Sequence, residues 1–228
     1  AIWVAGTNGL TITDNIINNI ISYVSSPIAA IELNANIRGN INISDNTISG
    51  VVSNTGDNIA AGISMNPLNG TFIIDNNNIS TIENISGSSA APAGGIRINT
   101  TNGSGNISGN KITAVFNRNT GGGPAQGINL GTAPNGLLIR NNFISNIMNI
   151  GATSFGNTAN ANGILLNSGN NHKVYHNSIN LFGNSTSIST NSINCLAITS
   201  VTQTGIDIRN NAFSNTVSGG SPTDVHTC

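Results

Sequence analysis

Charge is scarce in this sequence. Of 228 residues, seven are Lys or Arg and eight are Asp or Glu, giving 7% charged residues and a formal net charge of −1. So few cations cannot form the basic stripe that neutralises a phosphate backbone or an anionic leaflet, which argues against nucleic acid and membrane surface as partners. Aromatic residues are also rare, at 4%. No apolar run approaches the ~18 residues of a membrane span, so no inserted segment is expected. An initiating Met and a signal-like apolar region are missing too, which leads us to expect a processed or excised piece of a longer chain. Runs rich in Leu, Ala, Glu and Lys at helical spacing are absent as well. Gly, Asn and β-branched residues dominate instead, which disfavours helix. Disorder is excluded from the other side, because 37% of residues are hydrophobic and the mean hydropathy is +0.03.

What the chain does have is Asn and Ile, together about a third of all residues, and they recur. The segments Ala30–Leu33, Gly62–Met65, Gly95–Ile98, Gly127–Leu130, Gly163–Leu166 and Cys195–Ile198 follow one another at 32, 33, 32, 36 and 32 residues. A second motif, apolar-x-x-Asn-x-apolar, places Asn15, Asn46, Asn77, Asn110, Asn142, Asn177 and Asn211 on nearly the same period. Two independent markers with one period denote a repeat architecture.

Within each repeat apolar and polar residues alternate, as in Ile48-Ser49-Gly50-Val51. Period two predicts strands. Each repeat reads as three short ones of three or four residues: Gly-Ile-x-Leu, then x-Ile just before the Asn, then Ile-Ser-x-Ile just after it. A loop of variable length follows, for example Thr120-Gly121-Gly122-Gly123-Pro124. Strands this short bury a face only by stacking on their copies one repeat on, so the expected fold is an all-β parallel solenoid, a single domain over residues 1–228. Two inward columns are explicit. Ile2, Ile31, Ile63, Ile96, Ile128, Ile164 and Leu196 form one, and Ile12, Ile43, Ile74, Ile107, Ile139, Val174 and Ile208 the other. About seven coils of 31–36 residues, at ~4.8 Å per rung, would make a rod about 34 Å long.

With these motifs the chain resembles the right-handed parallel β-helix family with pectate-lyase-like repeats, in particular Asn-rich secreted bacterial surface and adhesin repeat proteins. The resemblance covers nearly the whole chain. It implies that the seven motif Asn residues stand in the tight bend between second and third strands, take a left-handed backbone, and join their amides from rung to rung. Asn tolerates positive φ, and a stacked amide both donates and accepts. A second Asn column, after the first strand, comprises Asn34, Asn66, Asn99 and Asn167, with Gly131 and Thr199 substituting.

Many members of that family cut or epimerise acidic polysaccharides, so the residues must be asked for a catalytic constellation. A lyase needs clustered carboxylates for Ca²⁺ and an Arg or Lys base, and a glycosidase needs two carboxylates about 5–9.5 Å apart. The acidic residues here are scattered. Only Asp14 and Asp45 share a column on adjacent rungs, where capping a turn is the expected role. His172 and His176 have a spacing that suits zinc on a helix but not on a strand and bend, so no metal and no cofactor are expected. The outward column before the ladder reads Thr13, Ser44, Asp75, Ser108, Arg140, Tyr175 and Arg209. Its last three members are candidates for contact with carbohydrate, since Arg donates to hydroxyls or carboxylates and Tyr offers a stacking face. The outward column of the first strand, Trp3, Glu32, Ser64, Arg97, Asn129, Leu165 and Ala197, is too irregular to template ice. Cys195 and Cys228 lie one repeat apart, and Cα atoms about 4.8 Å apart on neighbouring rungs fall inside the disulfide window, so a bridge is geometrically available.

No catalytic set emerges. The expected function is structural, a segment of a secreted bacterial surface protein serving as fibre, stalk or adhesin, extracellular or at the cell surface. Its expected partners are further coils, from the same chain or from head-to-tail stacking of subunits. The rival is a carbohydrate-binding or polysaccharide-degrading β-helix using Arg140, Tyr175 and Arg209.

Overall fold

The computed structural model describes the chain apart from residues 25, 36, 55–57, 67, 86, 88–89, 101, 151–160, 187–191, 220–224 and 228. Among the described residues there are strands and turns but no helix. One coil shows the plan. Ile28–Leu33, Ile37–Ser44 and Thr47–Ser53 follow one another around the axis, and Ala60–Met65 opens the next coil beside Ile28–Leu33. The strands assemble into three parallel sheets of eight, seven and seven strands. We number them sheet 1, sheet 2 and sheet 3 in the order in which the chain visits them. Every strand inside a sheet thus pairs with the copies one coil before and after, and the chain is a parallel β-solenoid with three strands per coil.

Both expected Ile columns are in register, enclosed along their interior rungs but not at their ends, where Ile2 and Leu196 are only partly buried and Ile208 is exposed. Ile31, Ile63, Ile96 and Ile128 are direct partners along sheet 1, as are Ile43, Ile74, Ile107 and Ile139 along sheet 2, all with no solvent exposure. Sheet 3 adds Ile48, Ile79, Ile112 and Ile144. A β-branched side chain stacked on its own copy fills each layer with one rotamer, which is why Ile dominates the interior.

Many strands are longer than the three or four residues the motifs suggest. Sheet 1 strands run to Ala60–Met65 and Ala93–Asn99, and sheet 2 strands to Ile37–Ser44 and Leu68–Asp75. The residues that open these strands ahead of the Gly-Ile motif, Ala60, Ala93, Ala125 and Ala161, are small and fully buried. They pair without claiming interior volume, so hydropathy alternation under-reports them.

The bend between sheets 2 and 3 corrects an expectation by one residue. The left-handed positions are Asp14, Asp45, Asn76, Gly109, Asn141, His176 and Asn210, each immediately before a ladder Asn. Asp14 and Asp45 therefore do occupy a turn. The ladder Asn residues themselves have ordinary backbone, which leaves their side chains pointing inward to bond along the axis. A second left-handed column, Asn19, Gly50, Thr81, Ala114 and Asn146, bends the strands of sheet 3 at the x of Ile-Ser-x-Ile. Thr81 is the poorest fit there, being β-branched at φ 56°. Thr81→Gly should therefore raise stability, by up to about 1 kcal/mol, as measured by urea denaturation, because the left-handed penalty outweighs glycine's greater chain entropy.

Candidate binding groove on the first sheet

The seven ladder Asn residues form one continuous chain of hydrogen bonds. Each Nδ2 donates to the Oδ1 of the next rung: Asn15 to Asn46, Asn46 to Asn77, Asn77 to Asn110, Asn110 to Asn142, Asn142 to Asn177 and Asn177 to Asn211, all at 2.9–3.0 Å. The same Oδ1 also accepts the backbone N–H of the preceding Asn, as Asn142 does from Asn110 at 3.0 Å. Nδ2 reaches a carbonyl one rung back as well, as in Asn110 to Ile74 at 2.9 Å. The ladder is thus a spine along the axis with no exposed reactive edge.

The second column is looser. Asn66 Nδ2 donates to Glu32 Oε1 at 3.4 Å, Asn167 Nδ2 to the Gly131 carbonyl at 3.3 Å, and Thr199 Oγ1 to Asn167 Oδ1 at 2.6 Å. A further set that the motif reading passed over holds the variable loops. Asn84 Nδ2 donates to the carbonyls of Asn58 and Ala91, and Asn117 Nδ2 to those of Ala91 and Pro124. Each amide so ties the loop of one coil to the loop of the next. Their recurrence at 33 residues, closing the third strand, was the available signal.

On sheet 2, Arg140, Tyr175 and Arg209 do stand side by side. Two of the three are occupied by Asp207. Tyr175 Oη donates to Asp207 Oδ2 at 2.6 Å and Arg209 Nε to Asp207 Oδ1 at 2.7 Å, while the Arg209 guanidinium lies 6.0 Å over the Tyr175 ring. The bond from Tyr175, then that from Arg209, holds the Asp207 carboxyl below the usual range, and the same carboxylate pushes the Tyr175 hydroxyl up. The strip is a self-paired surface cluster, with Arg140 exposed beside it.

His172 is wholly buried in the turn that enters sheet 2, its Nε2 at 2.8 Å from the Ser168 carbonyl and its Nδ1 without a partner. Burial holds its pKa below the ordinary 6.5. The folded state thus favours neutral imidazole, so the stability is fully present above pH 6.5 and declines as the pH falls below it. Thermal melts should show such a loss between neutral and mildly acidic pH, and it should shrink in His172→Gln, whose amide still donates to Ser168. His176 occupies the left-handed bend. Among the described residues no three His, Cys, Asp or Glu side chains cluster to hold a metal. Cys195 is buried, with Sγ donating to the Ser214 carbonyl at 3.4 Å. Its proposed bridge falls on Cys228, outside the described residues.

A surface groove lies over sheet 1, on the outward column that reads as irregular in the sequence. Trp3 is exposed there, but Ser64, Arg97, Asn129 and Leu165 are each only 6–7% exposed. Residues at the strand starts, such as Pro124 and Ser192, and just past the strand ends, such as Asn167 and Thr199, bound a groove of about 490 Å³. Its floor carries Gln126, Asn129, Asn162 and Asn194 around Leu165 and Ala197. Asn129 Nδ2 donates to Gln126 Oε1 at 2.6 Å, and Asn194 Nδ2 to Asn162 Oδ1 at 2.9 Å. A smaller hollow of about 90 Å³ continues along the same face, lined by Glu32, Ser64, Asn66 and Arg97 with Pro27 and Ile59. Amides over an apolar floor, with the hydroxyls of Ser192 and Thr199, offer hydrogen bonding and a contact surface, and among the described residues that line the larger groove there is no carboxyl, imidazole, amine or thiol group. No family model matches this sequence, and neither the curated proteins nor the solved structures provide a match.

Proposed function

We propose that this chain is a structural β-solenoid segment of a secreted bacterial surface protein, a fibre, stalk or adhesin that extends by axial stacking of coils. The observation that carries this reading is the contrast between the first coil and the second. Ile2, Val4, Leu10 and Ile20 are only partly buried, whereas Ile31, Leu33 and Val51 one rung on are fully enclosed and Ile41 is 2% exposed. The first strands of all three sheets are also paired on one side only. A further coil would cover that apolar face and complete those strands, whether it comes from the same polypeptide or from a second copy. Light scattering coupled to size exclusion, with electron microscopy, tests the second route. Concentration-dependent axial oligomers that disappear in Ile20→Lys support it. A chain that stays monomeric at high concentration removes self-stacking as the function.

A second reading, carbohydrate binding, is favoured by the groove on sheet 1 rather than by the strip on sheet 2. Paired amides beside Leu165 and Ala197 match the hydroxyls and apolar ring faces of a neutral saccharide. Binding on a polysaccharide array that is lost in Asn129→Ala and kept in Arg140→Ala would establish it. Loss in Arg140→Ala instead would move the site to sheet 2.

A further inference from the structure

Arg97 is the one charged side chain buried in the outward column of sheet 1. Its rung neighbours in register are Ser64 and Asn129, neither of them charged. The residue is 7% exposed. Its stem lies flat on the strand because position 94 is glycine: a Cβ there would stand 2.7 and 2.8 Å from Arg97 Cγ and Cδ. The guanidinium is nevertheless unpaired, with Nε and Nη1 buried and lacking any hydrogen-bond partner. Asn129 Oδ1, an acceptor on the adjacent rung, lacks a partner as well, so no hydrogen bond joins the two side chains. The ion pairs among the described residues are Arg118–Glu83 and Arg209–Asp207. Glu32 lines the same hollow but stands two rungs away, about 9.6 Å along the axis, with Oε1 held by Asn66.

A buried cation without a counter-charge is costly to keep. Burial alone lowers the pKa of Arg97 to about 10. The hollow it lines, of about 90 Å³, is far larger than the roughly 10–15 Å³ that one water needs. We propose that this hollow binds a compact oxyanion, such as a carboxylate, sulfate or phosphate group, with the Arg97 guanidinium as its charge partner and Ser64 and Asn66 as neutral donors beside it. This site goes beyond the neutral-saccharide groove and does not depend on that reading or on axial stacking.

The test is a titration of the whole chain with sodium sulfate and, separately, sodium acetate, against sodium chloride at matched ionic strength. Binding is followed by the melting temperature and by the Arg97 Nε–Hε NMR signal. The expected result is a saturable rise in melting temperature with a matching shift of the Arg97 signal, with affinity at least about tenfold weaker in Arg97→Met, since charge-assisted hydrogen bonds are lost. Arg97→Met should also melt higher than the unsubstituted chain when no oxyanion is present, because it removes an uncompensated charge. Glu32→Gln should tighten binding by removing a like charge from the hollow. An acidic oligosaccharide that binds more tightly than acetate would identify the anion as part of a polymer, and equal affinity would identify a free ion. If the unsubstituted chain shows no saturable response, or Arg97→Met responds equally, the proposal is wrong. Should Arg97→Met fail to fold, the NMR titration of the unsubstituted chain decides alone: an Arg97 signal that does not move overturns the site.

Discussion

Asn110→Ala should lower the stability of the solenoid by about 3 kcal/mol, because it strips partners from several buried groups at once. Asn110 Nδ2 donates to the carbonyls of Ile74 and Ser108 and to Asn142 Oδ1, while its Oδ1 accepts both the backbone N–H and the Nδ2 of Asn77. Alanine leaves carbonyls and an N–H buried with nothing to replace the amide. The loss comes from hydrogen bonding, since the left-handed bend residue is Gly109. Asn211→Ala should cost less, because Asn211 is only partly buried and sits at the last rung of the ladder. Asn110→Asp keeps the acceptor for Asn77 but turns a carboxylate toward the Ile74 and Ser108 carbonyls. Its pKa is therefore raised, so its penalty is largest near neutral pH and eases as the pH falls and the protonated carboxyl donates again. Urea denaturation of the three variants at two pH values checks both the ranking and the sign.

The second large effect is expected inside sheet 2, where one ring fills two places. Along one inward column Ile41 pairs with Phe72, and Phe72 with Gly105. Phe72 is 1% exposed and is among the largest fully buried side chains. A Cβ on Gly105 would fall 2.3 Å from Phe72 Cε2 and Cζ. Gly105→Ala should therefore cost about 2–3 kcal/mol by overpacking, and Phe72→Ala about 3–5 kcal/mol through the cavity it leaves. The pair Phe72→Leu with Gly105→Ala should be more stable than Gly105→Ala alone, a non-additivity that only a shared volume produces. Denaturant midpoints of the three variants and the double measure it.

Those two sites show what is legible in the sequence and what is not. The Asn ladder and both Ile columns could be read because each rung repeats the residue of the last, and a period of two within each strand fixes which side chains face inward. Phe72 over Gly105 breaks that regularity. Two unlike residues share one volume, and no periodic pattern announces it. The shift of the bend by one residue has a similar origin: Asp, Asn, Gly and His all take the left-handed position, so composition varies where conformation does not, and the invariant Asn draws attention to its neighbour. The groove escaped for a different reason. Alternation marks the column of Ser64, Arg97 and Asn129 as outward, and only the loops at both ends of sheet 1 turn an outward face into an enclosed one. Register brings Arg140, Tyr175 and Arg209 side by side, but Asp207, two residues before Arg209, engages two of them. That carboxylate sits in the same strand, within reach of a pairwise reading.

Hydrogen exchange of the Asn side-chain amides, followed by NMR, tests the central claim most directly, namely that an unbroken in-register amide ladder joins the coils. The Nδ2 protons of Asn46, Asn77, Asn110 and Asn142 should exchange far more slowly than those of the exposed Asn18 and Asn180, with Asn15 and Asn211 intermediate because they are only partly buried. Exchange of all these side chains at the rate of an unprotected amide would contradict the ladder and, with it, the stacked parallel register.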